Sequence, residues 1–440
     1  MRKYKPYSEY KESGSIALGE IPVSWEVKKL AYTFTQANAG EVIDKTFWGG
    51  GGEVLYTCNR TPLKSDFSNF PKVKRTSNND LLLTRNGTPY VHKPLPNSIY
   101  SNVVQRISLK PGLNRDFLAY CLGNSALSLR GYGVSIESLN FENWKSLQFV
   151  VPSPEDQKKI VKFLDYETVK IDTLVDKQKQ LIRLLTEKRE AVISRTVLGE
   201  LNSEKHLKYS GTKWLGYVPT HWTVAPLKSL VEEKVAGPYG ASLTKDMYTT
   251  SGIKVYGQQH VISDDFESGN YFISEKKYQS MTRYKVYPSD VLISVMGTVG
   301  KVAVVPESAA PGIINPRLVR YKFDSTKIYP EFIKVLILSK RYQAHLSEAS
   351  QGSTMEGLNM GILGRLPLAF PSIDEQRILV NYINEVGQTY SQLIGNAEKF
   401  IALASERRTA LIYSAVTGKI DVRNWKPTDN QNTEEVEVTA

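Results

Sequence analysis

The chain states its plan twice, and that duplication limits its fold more than any other feature. Ser13-Gly14, Leu18-Gly19, Pro22, Trp25 and Val27 recur as Ser210-Gly211, Leu215-Gly216, Pro219, Trp222 and Val224, offset by about 197 residues. A second block recurs at an offset of about 219: Gly133, Glu137, Leu139-Asn140, Pro152-Ser153 and Gln157 against Gly352, Glu356, Leu358-Asn359, Pro371-Ser372 and Gln376. That offset continues to Gly199 and Gly418, so two copies share their ends and differ inside by an insertion of about 22 residues. Like frames around unlike contents suit a device that reads two different things at a fixed distance.

Each copy ends in a long helical pattern. Ser153-Pro154-Glu155-Asp156 supplies an N-cap, a proline at the first helical position and acids at the positive end of the dipole. Apolar residues then follow at steps of three and four: Ile160, Leu164, Ile171, Leu174, Leu181, Leu185 and Val192, interrupted by Glu167, Gln178 and Lys188. The second copy opens on the capping box Ser372-Ile373-Asp374-Glu375. Its seam runs Leu379, Ile383, Val386, Tyr390, Leu393, Ala397, Phe400, Ala404, Leu411 and ends at Gly418. Gly387 and Gly395 inside it predict a kink or a close helix contact. Neither rod buries its stripe alone, so each is expected to cover the other, antiparallel if a pseudo-two-fold axis relates the copies. The N-terminal segment should then lie where the second rod ends.

Between the frames the pattern is mixed α/β. Asp80–Thr84 and Asp290–Ser294 read as matched strands, each followed by Gly-Thr, with short helices around Phe117–Leu129 and Pro330–Ser347. The run Gly49–Gly52 reads as a flexible loop. With 440 residues, two or more cores are expected. The first residues are polar and basic and no stretch approaches 18 apolar residues, which points to a cytoplasmic protein with no membrane partner. Cys58 and Cys121 are too few for a disulfide framework or a four-ligand zinc site.

A net charge of +11 and a pI near 9.2 favour a polyanionic partner. Basic clusters precede the matched strands: Lys72, Lys74 and Arg75 in one copy, Lys276, Lys277, Arg283 and Lys285 in the other. Polar tips follow an earlier strand at Asn59-Arg60 and Gln258-Gln259-His260. With Arg85 these are the candidate DNA-binding residues, because Asn, Gln, Arg and His pair with base edges and Lys suits phosphates. The opposing view is that surface cations and most of the 25 tyrosines simply pack or meet solvent.

Signatures of catalysis are missing. Asn315-Pro316-Arg317 lacks the second proline and aromatic of a base-flipping methyltransferase motif. Gly297-Thr298-Val299-Gly300-Lys301 is too short for a phosphate loop. Five scattered histidines show no metal spacing, and His221 and His260 suit structural or base-reading roles better than catalysis.

With these residues in place, the sequence resembles the specificity subunits of type I restriction–modification systems. The shared pattern is G-x-[IV]-P-x-x-W at Gly19–Trp25 and Gly216–Trp222, and P-x-x-x-[ED]-Q at Pro152–Gln157 and Pro371–Gln376. Glu187-Lys188-Arg189 and Glu406-Arg407-Arg408 belong to the same set. The resemblance implies two pseudo-symmetric α/β target-recognition domains (residues 1–150 and 201–370) separated by two long antiparallel coiled-coil helices (151–200 and 371–420), with a disordered acidic tail at 421–440. It implies double-stranded DNA as partner, read at a bipartite asymmetric site. Modification subunits, two of them, are expected to dock through Glu187, Lys188, Arg189, Glu406, Arg407 and Arg408, although cations at a helix C-terminus also complement its dipole. Restriction subunits join them, and S-adenosylmethionine, ATP and magnesium belong to the partners, leaving no catalytic residue, metal or cofactor here. The competing readings are a two-headed coiled-coil scaffold that binds proteins, and a detached recognition half of a single-chain methyltransferase–endonuclease. The second is expected as a C-terminal extension, which suits poorly a chain opening on its first frame.

Overall fold

The computed structural model describes residues 4–66, 74–126, 129, 139–200, 206–351 and 358–427. Lys72, the repeat positions Gly133, Glu137, Gly352 and Glu356, and tail residues 428–440 lie outside them. The fold is mixed α/β and divides into two units: Met1–Lys179 with Lys399–Ala440, and Gln180–Glu398. Both long helices, Pro154–Val197 and Ile373–Val416, are cut by this division. Each unit therefore owns one half of each helix.

The two units repeat one topology. In unit 1 a four-stranded sheet runs in the order Phe34–Ala39, Val104–Leu109, Asp80–Thr84, Val91–His92. Unit 2 matches it with Val231–Ala236, Leu318–Phe323, Val291–Ser294, Val302–Val304. The central Asp80–Thr84 and Val291–Ser294 are buried at every position, which is why they read as unbroken apolar runs instead of alternating ones. The buried acids before or at their starts are held by an arginine from the neighbouring strand. Arg106 lies 3.5 Å from Asp80, and Arg320 lies 3.1 Å from Asp290 while also reaching Glu233 at 2.6 Å. Burial raises the Asp290 carboxyl pKa and Arg320 opposes the rise.

A second, smaller sheet packs a parallel pair in each unit: Trp48–Tyr56 with Ile99–Tyr100, and Ile253–Tyr256 with Gly312–Ile314. The run Gly49–Gly52 is part of that first strand and not a loop. Gly51 has φ +55 and a Cβ there would sit 2.3 Å from the Ser65 carbonyl oxygen, within a bulge where Trp48 and Glu53 both oppose Ser65. The helix expected over Pro330–Ser347 is two, Pro330–Leu338 and Lys340–Gln351, broken at Ser339 by an extended backbone. The added length of the second copy is not one insertion. Its largest share lies between Tyr256 and Lys285, where the helices Gln258–Ser263 and Glu275–Ser280 have no counterpart among the described residues of unit 1.

Both repeated motifs turn out to be joints. At the start of the first long helix the buried Gln157 amide accepts from the Asn114 N–H at 2.8 Å and donates to the Pro152 carbonyl at 3.0 Å. Gln376 does the same with Tyr329 at 2.9 Å and Pro371 at 2.9 Å. At the helix ends, Gly199 and Gly418 have φ of +70 and +74. A Cβ on Gly199 would lie 2.5 Å from Pro219 and 3.1 Å from Trp222; on Gly418 it would meet Pro22 at 2.5 Å and Trp25 at 3.1 Å. The tryptophans are completely buried, so each helix terminates on the frame motif of a copy. In unit 1 the joint places the N-terminal segment beside the end of the second long helix, where Tyr10 donates to the Gly418 carbonyl and the Asp421 N–H to Lys5.

The long helices, 44 residues or about 66 Å each, run antiparallel within each unit. In unit 1 Ile160, Phe163 and Leu164 share a core with Ile412, Ala415 and Val416, and Arg408 pairs with Asp172 at 2.8 Å. In unit 2 Val197 and Leu198 share a core with Val380 and Ile383, and Arg189 reaches Ser391 at 3.5 Å. The expected seam is buried near the helix ends but is largely open toward the middle, where Leu174 is 48 % exposed, Leu181 42 %, Leu393 46 % and Phe400 40 %, although Ala397 is buried. Gly387 and Gly395 do not mark a close contact, since a Cβ on either meets nothing within 4 Å.

Two outcomes follow for stability. Gly387→Ala should raise it by up to about 1 kcal/mol through helix propensity, whereas Gly418→Ala should lower it by more than that, read as opposite shifts in melting temperature. A circular permutant opened between Glu200 and His206, with the original ends joined, should fold with native circular dichroism; failure to fold would break the pseudo-symmetry.

Candidate nucleic-acid interface

Parallel pairing gives each small sheet an end where two strands finish side by side. In unit 2 these are Tyr256 and Ile314, and the chain then continues into Gly257–His260 and Asn315–Arg317. The Asn315 N–H donates to the Tyr256 carbonyl at 2.9 Å. Gly237 packs so closely that a Cβ would be 1.9 Å from the Asn315 carbonyl oxygen, so only glycine fits. The turn after Val291–Ser294 joins the same rim, because the Gln258 amide donates to the carbonyls of Met296 and, at 3.3 Å, Thr298. Arg317 reaches the Gln258 Oε1 at 3.4 Å. Tyr239 and Met296 are exposed on these segments.

Unit 1 builds the same rim from different side chains. The Ser101 N–H donates to the Tyr56 carbonyl at 3.0 Å, and Gly40 stands where a Cβ would be 2.0 Å from the Tyr100 oxygen. Asn59 and Arg60 are exposed here, with the Arg60 guanidinium 5.6 Å from the centre of the Tyr90 ring. Arg85 donates to the Asn102 carbonyl at 3.3 Å. Lys74 lies at the edge of this rim, held by the Ala39 carbonyl and Glu41, both at 3.3 Å.

The structure therefore gathers Asn59, Arg60, Arg85, Gln258 and Gln259 at equivalent rims, with Lys74 beside the first. Gln258 and His260 face inward, because the segment is a short helix and not an open tip; only Gln259 of the three is exposed. Arg75 is drawn into a two-toothed pair with Glu53 at 2.9 and 3.1 Å. Lys276 and Lys277 sit on the helix Glu275–Ser280, after Ile273. Ile273 pairs with Ile253, at the start of the strand whose far end bears the rim, so this basic patch is about 10 Å away from it. Arg283 is exposed; Lys285 lies over the Tyr278 ring at 4.1 Å and donates to Gln279. Asn102, Tyr239, Met296 and Arg317 carry the rim as well, and the sequence offered no cue to them beyond Asn315-Pro316 closing an apolar run.

The expected docking residues lie more than two turns before the helix ends; Glu187, Lys188, Glu406 and Arg407 are exposed, while Arg189 and Arg408 turn onto the opposite helix. A groove of about 680 Å³ beside Arg189 is lined by Ile193, Lys334, Leu338, Ile383 and Gly387. Its equivalent beside Arg408, about 430 Å³, is partly filled by Tyr120, whose hydroxyl donates to Asp165 at 2.7 Å. Among the described residues no group of His, Cys, Asp and Glu side chains could hold a metal ion, and no helix is long and apolar enough to cross a membrane.

Two buried histidines brace the rims. The His92 Nε2 lies 3.1 Å from the Thr57 carbonyl, and the His260 Nε2 lies 3.0 Å from that of Ser268 while its Nδ1 accepts from the Gly257 N–H at 3.0 Å. Burial holds both imidazoles below the ordinary histidine pKa. The unfolded chain takes up these protons more readily, so their contribution is present above a pH of about 6.5 and is lost as pH falls below it. The melting temperature should drop between pH 7 and pH 5, and His260→Leu, though less stable at pH 7, should show a smaller drop.

Comparison with known proteins agrees with this geometry. Residues 22–183 match the family model described as the type I restriction modification DNA specificity domain. The MjaVIII type I restriction enzyme specificity subunit of Methanocaldococcus jannaschii is 21 % identical, over 92 % of this chain and 95 % of its own length. The EcoBI specificity subunit of Escherichia coli is also 21 % identical, over 71 % of this chain and 67 % of its own. A chain solved in work on complex assembly and conformational transition of the type I R-M system covers 91 % of this chain and 99 % of itself, with a TM-score of 0.65 and 16 % identity. The HsdS subunit from Thermoanaerobacter tengcongensis covers 91 % and 98 %, with a TM-score of 0.50 and 17 % identity. Those structures share the fold, residues 22–183 match the DNA specificity domain, and with its duplicated frames and long helices the chain is similar to type I restriction–modification specificity subunits over most of its length.

Proposed function

We propose that the chain reads a bipartite, asymmetric site on double-stranded DNA, one half with each rim, and so directs adenine methylation and cleavage by partner subunits. The observation that carries this reading is the pair of equivalent rims built on one scaffold from unlike side chains: Asn59, Arg60 and Arg85 in one, Gln259 and Arg317 in the other. Equivalent placement suits two half-sites approached in the same way, and different chemistry suits half-sites of different sequence. The long helices act as the ruler between them. Two modification subunits dock on exposed helix residues including Glu187, Lys188, Glu406 and Arg407, beside the grooves that Arg189 and Arg408 border. Restriction subunits complete the complex in the cytoplasm, and S-adenosylmethionine, ATP and magnesium are bound by the partners.

The ruler is testable by inserting four residues, about 6 Å of helix, into both long helices. Mapping methylated adenines in cells that supply the partner subunits should show the unread gap longer by one or two base pairs, at about 3.4 Å each, with both half-sites unchanged. Weaker methylation with an unaltered gap would refute it. A protein-binding scaffold is separated by DNA affinity itself, which should fall steeply with salt.

A further inference from the structure

Each rim has one facing pair of residues just beyond the last rung of its central ladder. In unit 1 the Arg85 N–H donates to the Val103 carbonyl at 2.8 Å; in unit 2 the Val295 N–H donates to the Arg317 carbonyl at 3.0 Å. The same pair of positions thus holds one arginine and one valine in both units, with the arginine on opposite strands. Inter-strand spacing displaces the arginine by about 5 Å between the two rims.

Arg317 is the better prepared of the two. Its side chain is exposed, and its Nη1 donates to the Oε1 of Gln258 at 3.4 Å. Gln258 is only 9 % exposed, and its amide nitrogen is spent on the carbonyls of Met296 and Thr298, so its oxygen is aimed at the arginine. The backbone is fixed too, since the Arg317 N–H donates to the Asn315 side chain at 2.9 Å. A guanidinium braced on one side keeps its other N–H donors in a planar fork, the geometry that matches O6 and N7 of guanine in the major groove. Bracing before binding also reduces the entropy lost on contact.

We propose that Arg317 reads a guanine in the half-site of unit 2, with Gln258 as its positioning residue, and that Arg85 reads a guanine in the half-site of unit 1 from the facing strand. This rests on the two-rim reading of DNA and adds which side chains specify which base.

The test is methylated-adenine mapping with the full chain and its partner subunits, followed by binding of the purified complex to duplexes carrying the mapped site with single base changes. Arg317→Gln should lower discrimination for guanine at one position of one half-site by roughly 10- to 100-fold and leave the other half-site unchanged. Arg85→Gln should do so in the other half only. Gln258→Leu should weaken the same position as Arg317→Gln while other positions keep their preference, a pattern that general loss of structure would not produce. An unchanged motif in both arginine variants would overturn the proposal. So would uniform weakening at every position with a salt slope lower by about one, the mark of a phosphate contact. A wild-type complex that yields no two-part motif would defeat the broader reading instead.

Discussion

The seating of each long helix on a buried tryptophan organises both units. A 44-residue amphipathic helix cannot hold its apolar stripe in water alone, so its ends must dock. They dock through Gly199 on Pro219 and Trp222 and through Gly418 on Pro22 and Trp25, where the left-handed backbone and the absence of a Cβ are both required. Because the second helix ends on the first frame, unit 1 is assembled from the two ends of the chain, and unit 2 from its middle. At the other end of each helix the buried glutamines Gln157 and Gln376 tie the first turn to the segment before the short helix that packs beside it.

These joints explain how one scaffold tolerates two sets of contents. The apolar strands Asp80–Thr84 and Val291–Ser294 and the acid–arginine pairs behind them are common to both units. Much of what differs lies past the strand ends, in the turns that make the rims, and in the added chain between Tyr256 and Lys285. A change there alters exposed side chains without disturbing the helix seats, so the rims can vary while the frame of each unit is kept.

Charge marks the site less sharply than it suggests a partner. The excess of Lys and Arg is spread over the chain, and parts of it are already spent. Arg75 is neutralised by Glu53, Lys74 is held by Glu41, and Arg408 by Asp172. Arg317, which stands outside every basic cluster in the sequence, is presented at the rim by a glutamine that the sequence would assign to the DNA.

The duplicated frames, the two helices with their caps, the matched central strands and the meeting of the N-terminal segment with the end of the second helix were determined by sequence alone. Each is fixed by local signals: capping residues, apolar periodicity, and a repeat that forces like positions into like surroundings. The rims were decided by tertiary structure. Whether Gln258 or Gln259 faces outward depends on a short helix rolling one residue under another, and whether Arg75 or Arg317 keeps its charge available depends on Glu53 and Gln258 arriving from distant segments. The middle of the helix seam likewise repeats the pattern of its ends, yet Leu174 and Phe400 stay exposed, because periodicity states which face is apolar and not what comes to cover it.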